Sequence, residues 1–146
     1  MQVAPEIDRL LGIETYVTQT SGIRGRIRGV AEDFQVEEIL ADGSKANFAP
    51  PAKETMALGA TLEQQQHLFC VLAKQNWDTL MATKSVANQL GLGQNSVQIA
   101  GIKDAKAVTA QYITIENLKI EEINKINLSG IHVRPVGYLR YPLSVF

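Results

Sequence analysis

The chain has one cysteine, two histidines and one tryptophan among 146 residues, and a formal net charge of only −1. Each shortage excludes something. A lone cysteine, Cys70, forms no internal disulfide, and its place in an apolar run reads as a core thiol in a reducing compartment. His67 and His132 lie far apart, and neither has a cysteine, histidine or carboxylate at zinc-ligand spacing, so the sequence points to no metal site. A nearly balanced charge gives no general attraction to polyanions, and any such contact has to come from a local patch. No apolar run approaches the ~18 residues of a membrane span and no leader segment precedes the body, so the expectation is a cytoplasmic protein without a membrane partner. G-x-S-x-G, a Walker loop and G-x-G-x-x-G are all missing. "GIRGRIRG" at 22–29 has glycines without the nucleotide-binding spacing.

What remains is the composition of an ordinary globular domain, 45% hydrophobic and 20% charged, at a length suited to one core. "PEIDRLLG" at 5–12 reads as a short helix with proline near its start and glycine at its end, and "ETYVT" as an extended piece. In the following stretch Ile23, Gly25 and Ile27 alternate with Arg24, Arg26 and Arg28, so a strand there would set three guanidinium groups on one face. "EDFQVEEI" at 32–39 also alternates, with Phe34 and Val36 on one side. Residues 41–64, with Asp-Gly, Pro-Pro and no clear period, read as a loop.

The run "HLFCVLAK" at 67–74 reads as a strand covered on both faces, hence central. "NWDTLMATKSVANQLGLG" gives the clearest helix, capped by Asp78 or Thr79 and closed by Gly91, with Trp77, Leu80, Met81, Val86, Ala87 and Leu90 as its apolar stripe. Strands are expected at "SVQIAGI" and "QYITI", a weakly amphipathic helix at 117–130, and a last strand from Ile131. The order α-β-β-loop-β-α-β-β-α-β defines an α/β (α+β) domain in which helices pack on a mixed sheet.

The chemistry concentrates in "AGIKDAKAVTAQYITI", 100–115. Asp104 follows a strand and Gly101, between Lys103 and Lys106. Ammonium groups within about 4–6 Å would hold its carboxylate ionised, which suits a nucleophile, a base or a salt-bridge partner better than a general acid. The bland alternative is an exposed turn of solvated charges. Arg24, Arg26 and Arg28 suit phosphate contacts, or else form the charged face of an edge strand. Phe34 suits stacking on a base, or anchors its strand in the core.

In combination these blocks resemble the TruD family of tRNA pseudouridine synthases. "EDFQVEEI" resembles the family's first motif and "HLFCVLAKQNWDTLMATKSVANQLGL" its next strand and helix, with "NWDT" similar to the archaeal–eukaryotic branch. "AGIKDAKAVTAQYITI" resembles its G-x-K-D-x-x-A-x-T-x-Q signature, and "VGYLRYPLSVF" the approach to a later G-N-x-F motif. The resemblance runs in order from Gly22 onward. It implies isomerisation of uridine to pseudouridine in tRNA, typically at position 13, or in other RNA, without a cofactor. The family's catalytic aspartate falls on Asp104. Lys103, Ala107, Thr109 and Gln111 match the surrounding signature, and the first motif's basic and aromatic positions fall on Arg28 and Phe34. Ala105 departs from the Arg or Lys that many members carry there, with Lys106 keeping a basic residue next door. Against the family's length, 1–146 corresponds to an N-terminal part of the catalytic domain, with later strands and an inserted domain absent. The expectations are therefore an RNA pseudouridine synthase, or a catalytically inactive RNA-binding or incompletely folded fragment of one.

Overall fold

The computed structural model describes residues 1–20, 25–49 and 57–144. At the start, β1 (Gln2–Val3) and β2 (Thr15–Tyr16) pair antiparallel around α1 (Glu6–Leu10), which Gly12 closes in a left-handed conformation. This unit is almost wholly exposed and contributes only Ala4 to the buried residues.

The main sheet has five strands: β3 (Gln35–Glu37), β4 (His67–Gln75), β5 (Val97–Ile99), β6 (Val108–Glu116) and β7 (Ile131–Leu139). β4 and β6 are nine residues each and pair antiparallel along their full length, from His67 opposite Glu116 to Gln75 opposite Val108. β4 lies between β6 and β7, as expected for its unbroken apolar run. Opposite Phe69 and Cys70 stand Gly137 and Pro135, so Val136 is the extra residue of a bulge. That places Pro135, which has no N–H to give, on an edge strand whose outer side is met, among the described residues, by a single bridge from Thr61 at Tyr138.

The outer edge of β6 is shared. β3 runs parallel to its first half, Gln35 to Glu37 against Val108 to Ala110, and β5 antiparallel to its second half, Val97 to Ile99 against Ile115 to Ile113. The architecture is the expected α+β domain on a mixed sheet.

Two cores follow from the period-2 alternation of β4 and β6. Leu68, Cys70, Leu72, Ile113 and Ile115 face α2 (Thr79–Gln89), which covers them with Ala82, Val86 and Ala87. Phe69, Val71, Ala110 and Tyr112 face the other way and are covered by Ala46, Ala57 and Ala60. There the rings of Phe69 and Tyr112 stack with centroids 4.9 Å apart.

Several expectations are corrected. Asp78, not Thr79, caps α2, its Oδ1 accepting the N–H groups of Leu80 and Met81. Leu80 and Met81 are about half exposed, and Thr79, Ala82 and Thr83 take the buried face instead. β5 and β6 are respectively shorter than 96–102 and longer than 111–115. The segment 117–130 is not an α-helix but a 3₁₀ turn at Ile120–Lys125. Its apolar residues, Ile120, Ile123 and Ile126, recur every third position, which makes one face at three residues per turn, and all three pack on the core. The described part of 41–64 is mostly loop, as expected, with a bridge from Thr61 to Tyr138 and a short turn at Ala57–Gly59. Gly130 has the strictest backbone requirement. Its φ is +74°, and a Cβ there would stand 3.1 Å from the Gln75 carbonyl oxygen.

The arginine ladder is the largest correction. Residues 25–30 form no strand, are all exposed, and bend sharply enough to leave Arg28 at φ 57°. The β6 edge begins only at Val108, opposite Gln35, and among the described residues no strand pairs with 25–30. Arg26 and Arg28 therefore do not share a strand face, and Arg24 lies outside the described residues.

Candidate active site

Between β3 and β5 the β6 edge has a gap. Tyr112 would offer its N–H there to no strand, and the Glu38 carboxylate fills the place, with Oε2 accepting that N–H at 2.8 Å. Glu38 Oε1 accepts from Lys103 Nζ at 2.7 Å, in a pair whose side chains are only 11% and 18% exposed. Lys103, expected beside Asp104, thus directs its ammonium to Glu38. The same carboxylate ties the strand edge to the loop between β5 and β6.

That loop, 100–107, is anchored from beneath. Lys74, last but one in β4, is only 2% exposed because it continues the inward phase of Leu68, Cys70 and Leu72. Its Nζ donates to the carbonyl oxygens of Asp104 at 2.7 Å, Trp77 at 2.8 Å and Lys103 at 3.4 Å. Thr79 at the start of α2 works both ways: its Oγ1 accepts the Lys103 N–H at 3.1 Å and donates to the Lys103 carbonyl oxygen, 3.0 Å away. Gln111 of β6 donates Nε2 to the Gly101 carbonyl oxygen at 3.0 Å, and Asn76 donates its N–H to Ala107 at 3.1 Å. Burial pushes the Lys74 ammonium below the ordinary lysine range, opposed by the negative charges of Asp78 and Asp104 and reinforced by Lys103.

With its main chain held inside, Asp104 presents its carboxylate outward, the side chain 46% exposed. Arg28 Nη1 lies 3.4 Å from Oδ1, and the guanidinium stacks 3.8 Å from the centre of the Phe34 ring. The backbone supports this approach: Val108 donates its N–H to the Phe34 carbonyl oxygen at 3.0 Å, joining the first-motif segment to the end of the loop. Beside the pair opens a cleft of about 660 Å³ whose lining includes Arg28, Asn76, Ala105 and Lys106. Lys106 is exposed there, and Arg26 is exposed with no ion pair among the described residues. The structure thus brings together Asp104, Arg28, Phe34 and Lys106, turns Lys103 away to Glu38, and leaves Arg26 in solvent.

Lys74, Thr79, Gln111 and Glu38 were not expected in this role. One signal was present. Thr109 and Gln111 share the phase of Ile113 and Ile115 on β6, so polar side chains fall on the buried face of a strand, where they need partners. No group of three or more His, Cys, Asp or Glu suited to a metal ion occurs among the described residues.

Fold and site together define the class: a mixed α+β domain that presents one carboxylate, backed by an arginine, at the mouth of a cationic cleft. The sequence pattern of the family described as tRNA pseudouridine synthase D (TruD) matches residues 10–145, and the chain belongs to that family. It is 34% identical over 139 residues to "Probable tRNA pseudouridine synthase D" of Archaeoglobus fulgidus, covering 95% of this chain and 30% of that protein. The protein of that name from Thermococcus sibiricus is 33% identical over 126 residues, with 84% and 26% covered. A TruD crystal structure from Methanosarcina mazei superposes with a TM-score of 0.71 at 30% identity, over 99% of this chain and 29% of that one. The chain spans about 30% of the length of the curated relatives it matches.

Proposed function

We propose that residues 1–146 are the N-terminal part of a catalytic domain that isomerises uridine to pseudouridine in tRNA, with Asp104 as its catalytic group. The observation that carries this reading is the Asp104–Arg28 pair. A loop of buried anchors presents a half-exposed carboxylate with a guanidinium 3.4 Å away.

The reaction cuts the glycosidic C–N bond of a uridine, turns the uracil and rejoins it through carbon. It is redox-neutral, and every non-hydrogen atom of the product comes from the substrate, with the proton lost from carbon 5 passing to water and one gained at N1, so the chemistry calls for no cofactor. The Asp104 carboxylate serves it either by attacking C1′ of the ribose or by removing a ribose proton to give a glycal. In both routes the nucleotide leaves its stack to reach the carboxylate. Phe34 supplies an aromatic surface at the site, with Arg28 over its ring. Arg28 and Lys106 supply positive charge at the cleft for the RNA backbone, in an otherwise nearly neutral chain. Arg24 and Arg26 are proposed as outlying phosphate contacts, and Lys103 as supporting the loop through Glu38.

The test is pseudouridine mapping or tritium release on tRNA, with uridine 13 as the expected position. Asp104→Asn should reduce turnover to background while leaving RNA affinity within about threefold, because the substitution keeps the shape of the side chain. Retained turnover would reject Asp104 as the catalytic group. A second reading rests on coverage. Relatives about three times as long contribute further chain to their domains, and this chain would then bind RNA without modifying it. RNA binding with no pseudouridine formed by the wild-type chain selects that reading.

A further inference from the structure

We infer that Lys74 is a positioning residue for Asp104, holding the main chain of that residue from inside the core while Arg28 holds its carboxylate from outside. The inference rests on the reading of Asp104 as the catalytic group. It concerns a side chain that is outside the lining of the cleft and only 2% exposed.

The argument begins with an oddity of β4. The strand presents Leu68, Cys70 and Leu72 to α2, and the next residue in that phase is a lysine that is 2% exposed. An ammonium ion in such a place is costly unless its donors are all used. It has three donors, and the structure offers three carbonyl oxygens, those of Trp77, Lys103 and Asp104. They belong to two different segments, the entry to α2 and the loop that carries the carboxylate. A neutral group suffices where the loop only needs closing: Thr79 holds the Lys103 carbonyl, and Gln111 holds that of Gly101. The Asp104 carbonyl oxygen is instead held by the charged group, at 2.7 Å, the shortest of its three bonds.

The consequence is geometric. Asp104 is held at both ends, its carbonyl oxygen by Lys74 and its carboxylate by Arg28. Releasing the inner end frees the peptide after Asp104 to rotate, and the carboxylate loses its aim, although nothing that touches RNA has changed. Reaction rates respond steeply to such displacement: about 1 Å costs on the order of a hundredfold.

The experiment is Lys74→Met in the full chain, which keeps the unbranched stem as far as Cε and removes all three donors. Two quantities are read. Amide exchange at residues 103–107 should accelerate at least about tenfold while the β4–β6 core keeps its protection. The single-turnover rate of pseudouridine formation should fall about a hundredfold with the tRNA dissociation constant changed less than about threefold. Unchanged loop protection would overturn the inference, as would a rate loss matched by loss of RNA affinity or of core protection. If Lys74→Met does not fold, Lys74→Arg carries the test. It keeps the charge and moves the donors, so exchange at 103–107 and the rate should both change in the same direction by smaller factors; wild-type values for both would overturn the inference. A wild-type chain without turnover would reject the catalytic reading separately, while the exchange measurement still decides whether Lys74 fixes the Asp104 peptide.

Discussion

Two charged segments meet at the site, and they are built in opposite ways. The loop at 100–107 is fastened by Lys74, Thr79 and Gln111, all buried, and by Glu38, which is 11% exposed. The segment at 25–30 is wholly exposed, and its links to the rest of the site are the half-exposed pair of Arg28 with Asp104 and the stacking of Arg28 on Phe34. Written out as sequence, both are short glycine-containing stretches with basic residues. The difference lies entirely in what reaches them from elsewhere. One segment gives the carboxylate a fixed position, and the other brings a cation that stays in contact with solvent.

The contrast can be broken most forcefully at Glu38. Glu38→Ala leaves the Lys103 ammonium and the Tyr112 N–H without their acceptor, and should cost about 3 kcal/mol in chemical denaturation. A loss below about 1 kcal/mol would mean that this pair behaves like an exposed one. Thr79→Val should follow at about 2 kcal/mol, since the Lys103 N–H loses its partner in a buried place and the Lys103 carbonyl keeps only the longer bond from Lys74.

A smaller effect distinguishes the segments by pH. Burial holds Lys74 below the ordinary lysine value of about 10.5. Between those two values the unfolded chain carries the extra proton, so stability should rise with pH there, by at most about 1.4 kcal/mol per unit. Residues 25–30 hold no lysine, so that segment offers no buried ammonium of this kind. Comparing urea midpoints of the wild type and Lys74→Met as the pH approaches 10.5 from below isolates the contribution; parallel curves would deny it. Smallest of all in stability is Arg28→Ala, below about 1 kcal/mol because its pair is nearly half exposed on both sides. Its cost should appear in turnover instead, of order tenfold, because the carboxylate loses its outer support. A melting shift that accounts for the whole loss of activity would erase the distinction between the two segments.

Much of the frame was legible from local pattern. The apolar run from His67 gave a central strand, Asp78 was one of two caps proposed for α2, and Gly91 ends that helix at φ 69°. The site was legible in part. Asp104, Arg28 and Phe34 were singled out from their motifs, and the structure places them in contact. The arginine alternation misled, because a period of two makes a strand only where another strand edge accepts it, and among the described residues none pairs with 25–30. The helix expected at 117–130 failed for a related reason: isoleucines spaced by three suit the tighter 3₁₀ turn that packs against the core.

The sequence by itself determined the segments: which runs are apolar, where a helix is capped, and which short stretch carries a carboxylate between two lysines. Those properties depend on neighbours within a turn or two of the chain. Only the tertiary structure decided which cation meets which anion. Lys103 and Lys106 flank Asp104 along the chain, yet the Lys103 ammonium goes to Glu38, and the guanidinium on the carboxylate comes from Arg28. The reason is physical. A buried charge goes where enough acceptors converge to replace its water, and in this molecule strands, helix and loop from distant parts of the chain supply them together.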